Sequence, residues 1–161
     1  MAVRLTWYNR SMKVNLGCGE DKRDEYVNID IRREVNPDIC IDIRCLTFPD
    51  ESVDEVIAYD IIEHFPIKEA KHILGNIYEW LKPGGVLKIR VPDLKMIAER
   101  MVRSPEDETF ITLIYGGQDY FSNFHQCGFT EPILEKTLRE IGFIVLGFNY
   151  PNFNIEVGAV K

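Results

Sequence analysis

The apolar residues of this chain fall into short runs cut off by glycine, proline or acid, with one long stretch of helical period between them. Residues 13–16, 26–30 and 38–41 are short apolar runs suited to strands, and acids, Asp30 and Asp42, close the second and third. After a turn at Pro49-Asp50-Glu51-Ser52, residues 53–59 are mostly apolar, as a buried strand of a parallel sheet should be. Then the period changes. Ile67, Ala70, Ile73, Leu74, Ile77, Trp80 and Leu81 recur at intervals of three and four, the stripe of an amphipathic helix. Pro66 suits its first turn, and Pro83-Gly84-Gly85 stops it.

The second half continues the alternation. Residues 86–91 read as a fifth strand, and Pro92-Asp93 opens a helix with Leu94, Ile97, Ala98 and Met101 on one face. Ser104-Pro105-Glu106-Asp107 starts a further short helix that runs into Gly116-Gly117-Gln118. Residues 119–128 are polar, aromatic and glycine-flanked, the composition of a long functional loop. Thr130 caps a helix with Leu134, Leu138 and Ile141 inward and Gly142 at its end. Residues 143–148 and 153–160, joined by a turn at Tyr150-Pro151-Asn152, read as a final antiparallel hairpin on an otherwise parallel sheet. Residues 1–11 read as a lead-in whose Trp7 and Tyr8 pack against the rest.

This is an α/β pattern with one irregularity. Parallel neighbours need a crossover of a dozen or more residues, usually helical. Only about nine residues, 17–25, separate the first two strands, and about seven separate the next pair. The first crossover therefore holds at most a turn or two of helix and the second none, so one face of the sheet is thinly covered there.

At 161 residues the chain fits one domain, 1–161, with a respectable core. No apolar run approaches the roughly 20 residues that span a bilayer. The start, Met1 to Trp7, lacks the apolar region and cleavage site of a secretory signal, which suggests a cytoplasmic location. A net charge of -7 argues against an electrostatic grip on nucleic acid, although Lys22-Arg23 and Arg32-Arg33 are locally basic. Cys18, Cys40, Cys45 and Cys127 show no Cys-x-x-Cys pair and no zinc spacing, so free thiols and no structural metal are expected.

The first strand runs straight into Gly17-Cys18-Gly19, a turn that lets a ligand approach the main chain, and Asp30 ends the next run. Strand, glycine turn, strand and terminal acid are the grammar of a nucleoside-binding crevice. Together with Ile41-Asp42-Ile43, Phe48-Pro49-Asp50-Glu51-Ser52-Val53-Asp54, Ile62-Glu63-His64 and Leu81-Lys82-Pro83-Gly84-Gly85, these segments resemble the class I S-adenosylmethionine-dependent methyltransferases. The resemblance covers nearly the whole chain. It implies a seven-stranded, mostly parallel Rossmann-like sheet of order 3-2-1-4-5-7-6 with a C-terminal antiparallel hairpin, helices partly missing on the first crossovers, and S-adenosylmethionine as cofactor. Gly116-Gly117-Gln118 and His125-Gln126-Cys127-Gly128-Phe129 are similar to a short bacterial branch sometimes linked to surface glycans. That likeness suggests a small-molecule or glycan acceptor, and a homodimer is an assembly open to it.

On this reading Asp30, an acceptor-only carboxylate, suits both ribose hydroxyls, and Asp42 the adenine amino group between Ile31 and Ile43. Asn15, Gly17, Cys18 and Gly19 meet the methionine portion, and Tyr59-Asp60 close that side. Two departures stand out: Asn15 occupies a position where the family usually has an acid, and the third glycine with its long helix is missing. Methyl transfer rests largely on orientation, and a base is needed only where the acceptor must shed a proton. His64 and His125 are the candidates for that base, while Tyr120 and Phe124 would border the acceptor. His72 lies off the helix stripe and faces solvent. A nicotinamide enzyme is disfavoured because Lys22 stands where the third glycine of its fingerprint belongs. A cofactor-binding but inactive accessory subunit is the remaining alternative.

Overall fold

The run at 53–59 becomes β4 (Val53–Tyr59), which pairs in parallel with β1 (Lys13–Leu16) on one side and β5 (Leu81–Pro92) on the other in a computed structural model describing residues 11–161. Trp7 and Tyr8 lie outside the described residues. β2 (Val27–Asp30) and β3 (Ile39–Cys40) extend the parallel sheet beyond β1. β7 (Asn154–Val160) returns antiparallel to β5, and β6 (Ile144–Asn149) closes the edge. The order is β3-β2-β1-β4-β5-β7-β6, as the resemblance implied.

Registered neighbours share a face, and the two faces of this sheet differ sharply. Val14, Leu16, Ile29, Val56, Ala58, Leu87, Ile89, Ile155, Val157 and Ala159 form one buried apolar surface. Against it packs α1 (Ile67–Trp80), through Ala70, Ile73, Leu74, Ile77 and Trp80. α4 (Glu131–Ile141) adds Leu134 and Leu138. Each large side chain so buried stabilises the fold by roughly 1.5–3 kcal/mol.

The opposite face carries Asn15, Asn28, Glu55, Tyr59, Lys88 and Arg90 around the buried, apolar Ile57. It is stitched by polar contacts. Asn15 donates to Asn28 at 3.1 Å, and Glu55 accepts from Lys88 at 2.6 Å and from the Tyr26 hydroxyl at 2.7 Å. No helix occupies the first crossover, and the second holds one 3₁₀ turn, Arg33–Val35, where none was expected.

Two boundaries, those of β5 and α3, differ from the sequence expectation, and one expected cap is not made. β5 begins at Leu81, ahead of Pro83-Gly84-Gly85, because Leu81 pairs with Val53 across a register shift. α2 is Leu94–Arg103, capped by Asp93, whose carboxylate accepts the Lys95 amide at 2.9 Å. α3 starts only at Thr109 and runs to Tyr115, because Asp107 takes the Thr109 amide at 3.0 Å and ends the preceding turn. Thr130 precedes α4 in an extended conformation, but its side chain makes no capping hydrogen bond.

Two outcomes follow from this packing. Ile89→Ala, at a fully buried site on β5, is expected to lower unfolding free energy by about 2–5 kcal/mol in urea titrations, while exposed Val102→Ala stays within about 0.5 kcal/mol. For Glu55, burial pushes the carboxyl up, but hydrogen bonds from Lys88 and Tyr26 outweigh it and hold it below its ordinary value. A depressed carboxyl stabilises the fold above its unfolded pKa and loses that contribution as pH falls through its folded value. The stability gap between the parent and Glu55→Gln is therefore expected at neutral pH and should close on acidification below about pH 4.

Candidate active site

A cleft of about 270 Å³ opens at the carboxyl ends of β1, β2, β3 and β4. This is the switch point of the sheet, where chain connections leave β1 and β4 in opposite directions and leave a crevice between them. Gly17 forms one wall. Its φ of +61° is the left-handed region, and a Cβ there would lie 2.7 Å from Ile61 Cδ1. Only glycine allows the turn after β1 to pass this close to the loop after β4.

Asp30 closes the end of β2 and is nearly buried. Its Oδ2 accepts the Gly19 amide at 2.8 Å and its Oδ1 the Arg32 amide at 2.8 Å. One carboxylate thus locks the glycine turn to the β2 end, and each oxygen keeps a lone pair for a ligand. Ile31 and Ile43 supply apolar wall on either side. Asp42, beyond β3, is held below the usual carboxylate range chiefly by Arg44, whose guanidinium approaches to 2.6 Å. Asp60 lines the far side with φ +52° and accepts Arg90 Nε at 2.9–3.0 Å.

The 119–128 loop folds over this cleft, with Tyr120, Phe121 and Ser122 in its wall. Arg32 stacks 4.5 Å from the Tyr120 ring centroid and ties the loop to the β2 end. The loop base is closed by Gln118 N to Asn123 O at 2.9 Å and His125 N to Tyr115 O at 3.0 Å. Its far end is fixed where the Gln126 and Cys127 amides both donate to the Glu63 carbonyl, at 2.8 and 3.2 Å.

Of the expected residues, Gly17, Asp30, Ile31, Asp42, Ile43, Asp60, His64 and Tyr120 meet in the wall. The others stand behind or beside it. The Asn15 amide is spent on the Asp21 carbonyl at 2.8 Å and on Asn28, beneath the loop. Cys18 is buried with its thiol pushed up to about 11, mainly by burial, and Gly19 serves Asp30 through its amide. Tyr59 lies on the polar sheet face between Arg23 and Arg90. Phe124 is exposed outside the wall, and His125 sits behind His64, ring centroids 4.9 Å apart and nearly perpendicular. Sequence reasoning missed Arg32, Arg44, Ile61, Phe65, Ser122 and Gln126, which also line the cleft with the loop aromatic Phe121. Arg32 and Ile61 adjoin flagged residues, but Ser122 and Gln126 reach the cleft only through the loop's long-range contacts.

The turn Ile62–His64 after β4 carries three of the four buried side-chain atoms left without a hydrogen-bond partner among the described residues. Both Glu63 carboxyl oxygens and His64 Nδ1 are buried without a hydrogen-bond partner. Burial pushes the Glu63 carboxyl up to about 8 and pushes both His64 and His125 down, so the histidines tend toward neutral imidazole. His125 Nδ1 lies 3.1 Å from the Leu113 carbonyl, which favours a proton there and leaves Nε2 with a free lone pair.

Residues 14–89 match the family model described as a methyltransferase domain. The fold is similar to the PH0226 protein of Pyrococcus horikoshii, with 20% identity, a TM-score of 0.68, and 96% of this chain and 84% of that one covered. It is also similar to an S-adenosylmethionine-dependent methyltransferase of Thermotoga maritima, described as a possible histamine N-methyltransferase: 15% identity, TM-score 0.63, coverage 96% and 84%. A third likeness is the Burkholderia thailandensis 1,6-didemethyltoxoflavin-N1-methyltransferase, solved with its substrate and S-adenosylhomocysteine, at 13% identity, TM-score 0.62, coverage 94% and 71%. No curated protein matches the chain. The fold is that of S-adenosylmethionine-dependent methyltransferases. The residues present fit the adenosine half of S-adenosylmethionine: a buried carboxylate facing the cleft and two isoleucine walls. Beside Gly17, Ile61 fills the space that a Cβ would need.

The Gly17–Ile61 contact gives a direct test. Gly17→Ala is expected to lower unfolding free energy by about 1–3 kcal/mol from its left-handed backbone alone, with a further steric cost. Urea titration of Gly17→Ala, Ile61→Ala and the double variant should show that removing Ile61 relieves the steric part only.

Proposed function

We propose that this protein is a methyltransferase that moves the methyl of S-adenosylmethionine to a small-molecule or glycan-precursor acceptor. The observation that carries the reading is Asp30, a nearly buried carboxylate that braces the glycine turn and faces the cleft. Bound there, the cofactor supplies an electrophilic methyl on a sulfonium. Asp30 would hold the ribose hydroxyls, Ile31 and Ile43 the adenine faces, and Asp42 its amino group. The Gly17 to Gly19 main chain, with Asp60, would border the methionine portion.

The acceptor end is framed by His64, Tyr120 and Phe121. His64 touches the cleft and His125 supports it from behind, so His125 acts through its neighbour. Most of the rate would come from orientation, since an in-line displacement at a sulfonium needs little else. The charge of -7 disfavours a nucleic acid acceptor. A homodimer, if formed, would use the β6 edge, where Ile144 and Leu146 are exposed.

Calorimetry with S-adenosylhomocysteine tests the reading. The parent should bind it and ignore NAD, and Asp30→Asn should weaken binding about 10–100-fold, the worth of a hydrogen bond to a charged group. Folded protein that binds neither S-adenosylmethionine nor S-adenosylhomocysteine would refute it. Binding without methyl transfer to any acceptor pool would point instead to the accessory-subunit alternative.

A further inference from the structure

Glu63, His64 and His125 converge from two distant parts of the chain, and each offers one ligand atom within 4.8 Å of the others. We propose that these three residues form a binding site for a divalent transition-metal cation beside the cleft. Two nitrogen donors and one carboxylate oxygen suit zinc, cobalt, manganese or iron, the borderline ions of the first row.

Four observations support the site. Glu63 is almost wholly buried, yet both its carboxyl oxygens lack a partner, and buried polar atoms are rarely left so. His64 Nδ1 is likewise buried and unpartnered. His125 is preset as a ligand, because its Nδ1 faces the Leu113 carbonyl at 3.1 Å and its Nε2 is free. Metal-bound histidines almost always make such an outer contact. Finally, His64 and His125 already face each other, with ring centroids 4.9 Å apart.

The geometry needs only a modest contraction. Bonds of about 2.0–2.2 Å to one ion set ligand atoms roughly 3–3.5 Å apart, closer by up to about 1.3–1.8 Å than the 4.8 Å within which they lie here. The Glu63 carboxyl, which no hydrogen bond holds, is free to turn toward the histidines. Three protein ligands leave coordination positions open. His64 belongs both to this cluster and to the cleft wall, so the ion has a route in and an acceptor oxygen has a route to the ion. With an ion bound, the two histidines serve as ligands rather than as proton acceptors. This last role rests on the methyl-transfer reading; the ion site itself does not.

The test uses the full chain, stripped with EDTA and titrated with Co²⁺ near neutral pH, with Mg²⁺ as contrast. One equivalent of cobalt should bind with visible d–d absorption, and magnesium should bind far more weakly. Glu63→Gln and His125→Asn should each weaken cobalt binding at least about tenfold, since even outer-shell changes cost 10–100-fold. Circular dichroism reports whether each variant is folded, and either one suffices. Folded parent that takes up no cobalt equivalent, or a folded variant that binds it as tightly as the parent, overturns the site. S-adenosylhomocysteine titrated into the metal-free parent reports the methyltransferase reading separately: binding there without cobalt uptake would sink the ion site alone.

Discussion

The parallel pairing of β1 with β4 is the contact from which the cleft derives. Because Asn15 faces Ile57 and Leu16 faces Ala58, the two strands end level, and Gly17 emerges directly beside Asp60 and Ile61. A shift by one residue would turn Asn15 into the apolar layer and Leu16 onto the polar face, a change no nearby contact could offset. The same register places Asp30, at the end of β2, within reach of the Gly19 amide. The site is thus a by-product of strand alignment, and its precision is that of the sheet rather than of its loops.

The sheet meets an unusual demand on its second face. With no helix in the first crossover, that surface is dressed by its own side chains: an asparagine pair, the Tyr26–Glu55–Lys88 cluster, and Tyr59 between Arg23 and Arg90. Isolated surface ion pairs stabilise little, but linked ones on a rigid sheet hold their geometry better. The face is polar enough for water and ordered enough to bury Ile57 almost completely.

Much of this was readable from residue order. The α1 stripe, the strand order and the closing hairpin follow from periodicity and family likeness because each depends on local sequence or on many segments together. Boundaries governed by a single distant partner were not. Pro83-Gly84-Gly85 looks like a stop, yet Leu81 is already pairing with Val53, and nothing near Leu81 announces it. Among cleft residues, those at strand ends were visible, since glycine and acid mark such positions. Ser122 and Gln126 were not, because a loop's path across a cleft depends on anchors such as Arg32 on Tyr120. Glu63-His64 stood out as a motif, but the burial of its carboxyl and the approach of His125 are tertiary facts. A search for ligands by spacing along the chain passes over a cluster whose members are 63, 64 and 125.

The attachment of the 119–128 loop to the Glu63 carbonyl makes the roof and the floor of the cleft one mechanical piece. The peptide group that carries the buried acid also bears the two amides on which the loop pivots. The loop meets that turn at Gln126, five residues from Phe121 and six from Tyr120, so the buried acid and the cleft wall share one backbone anchor.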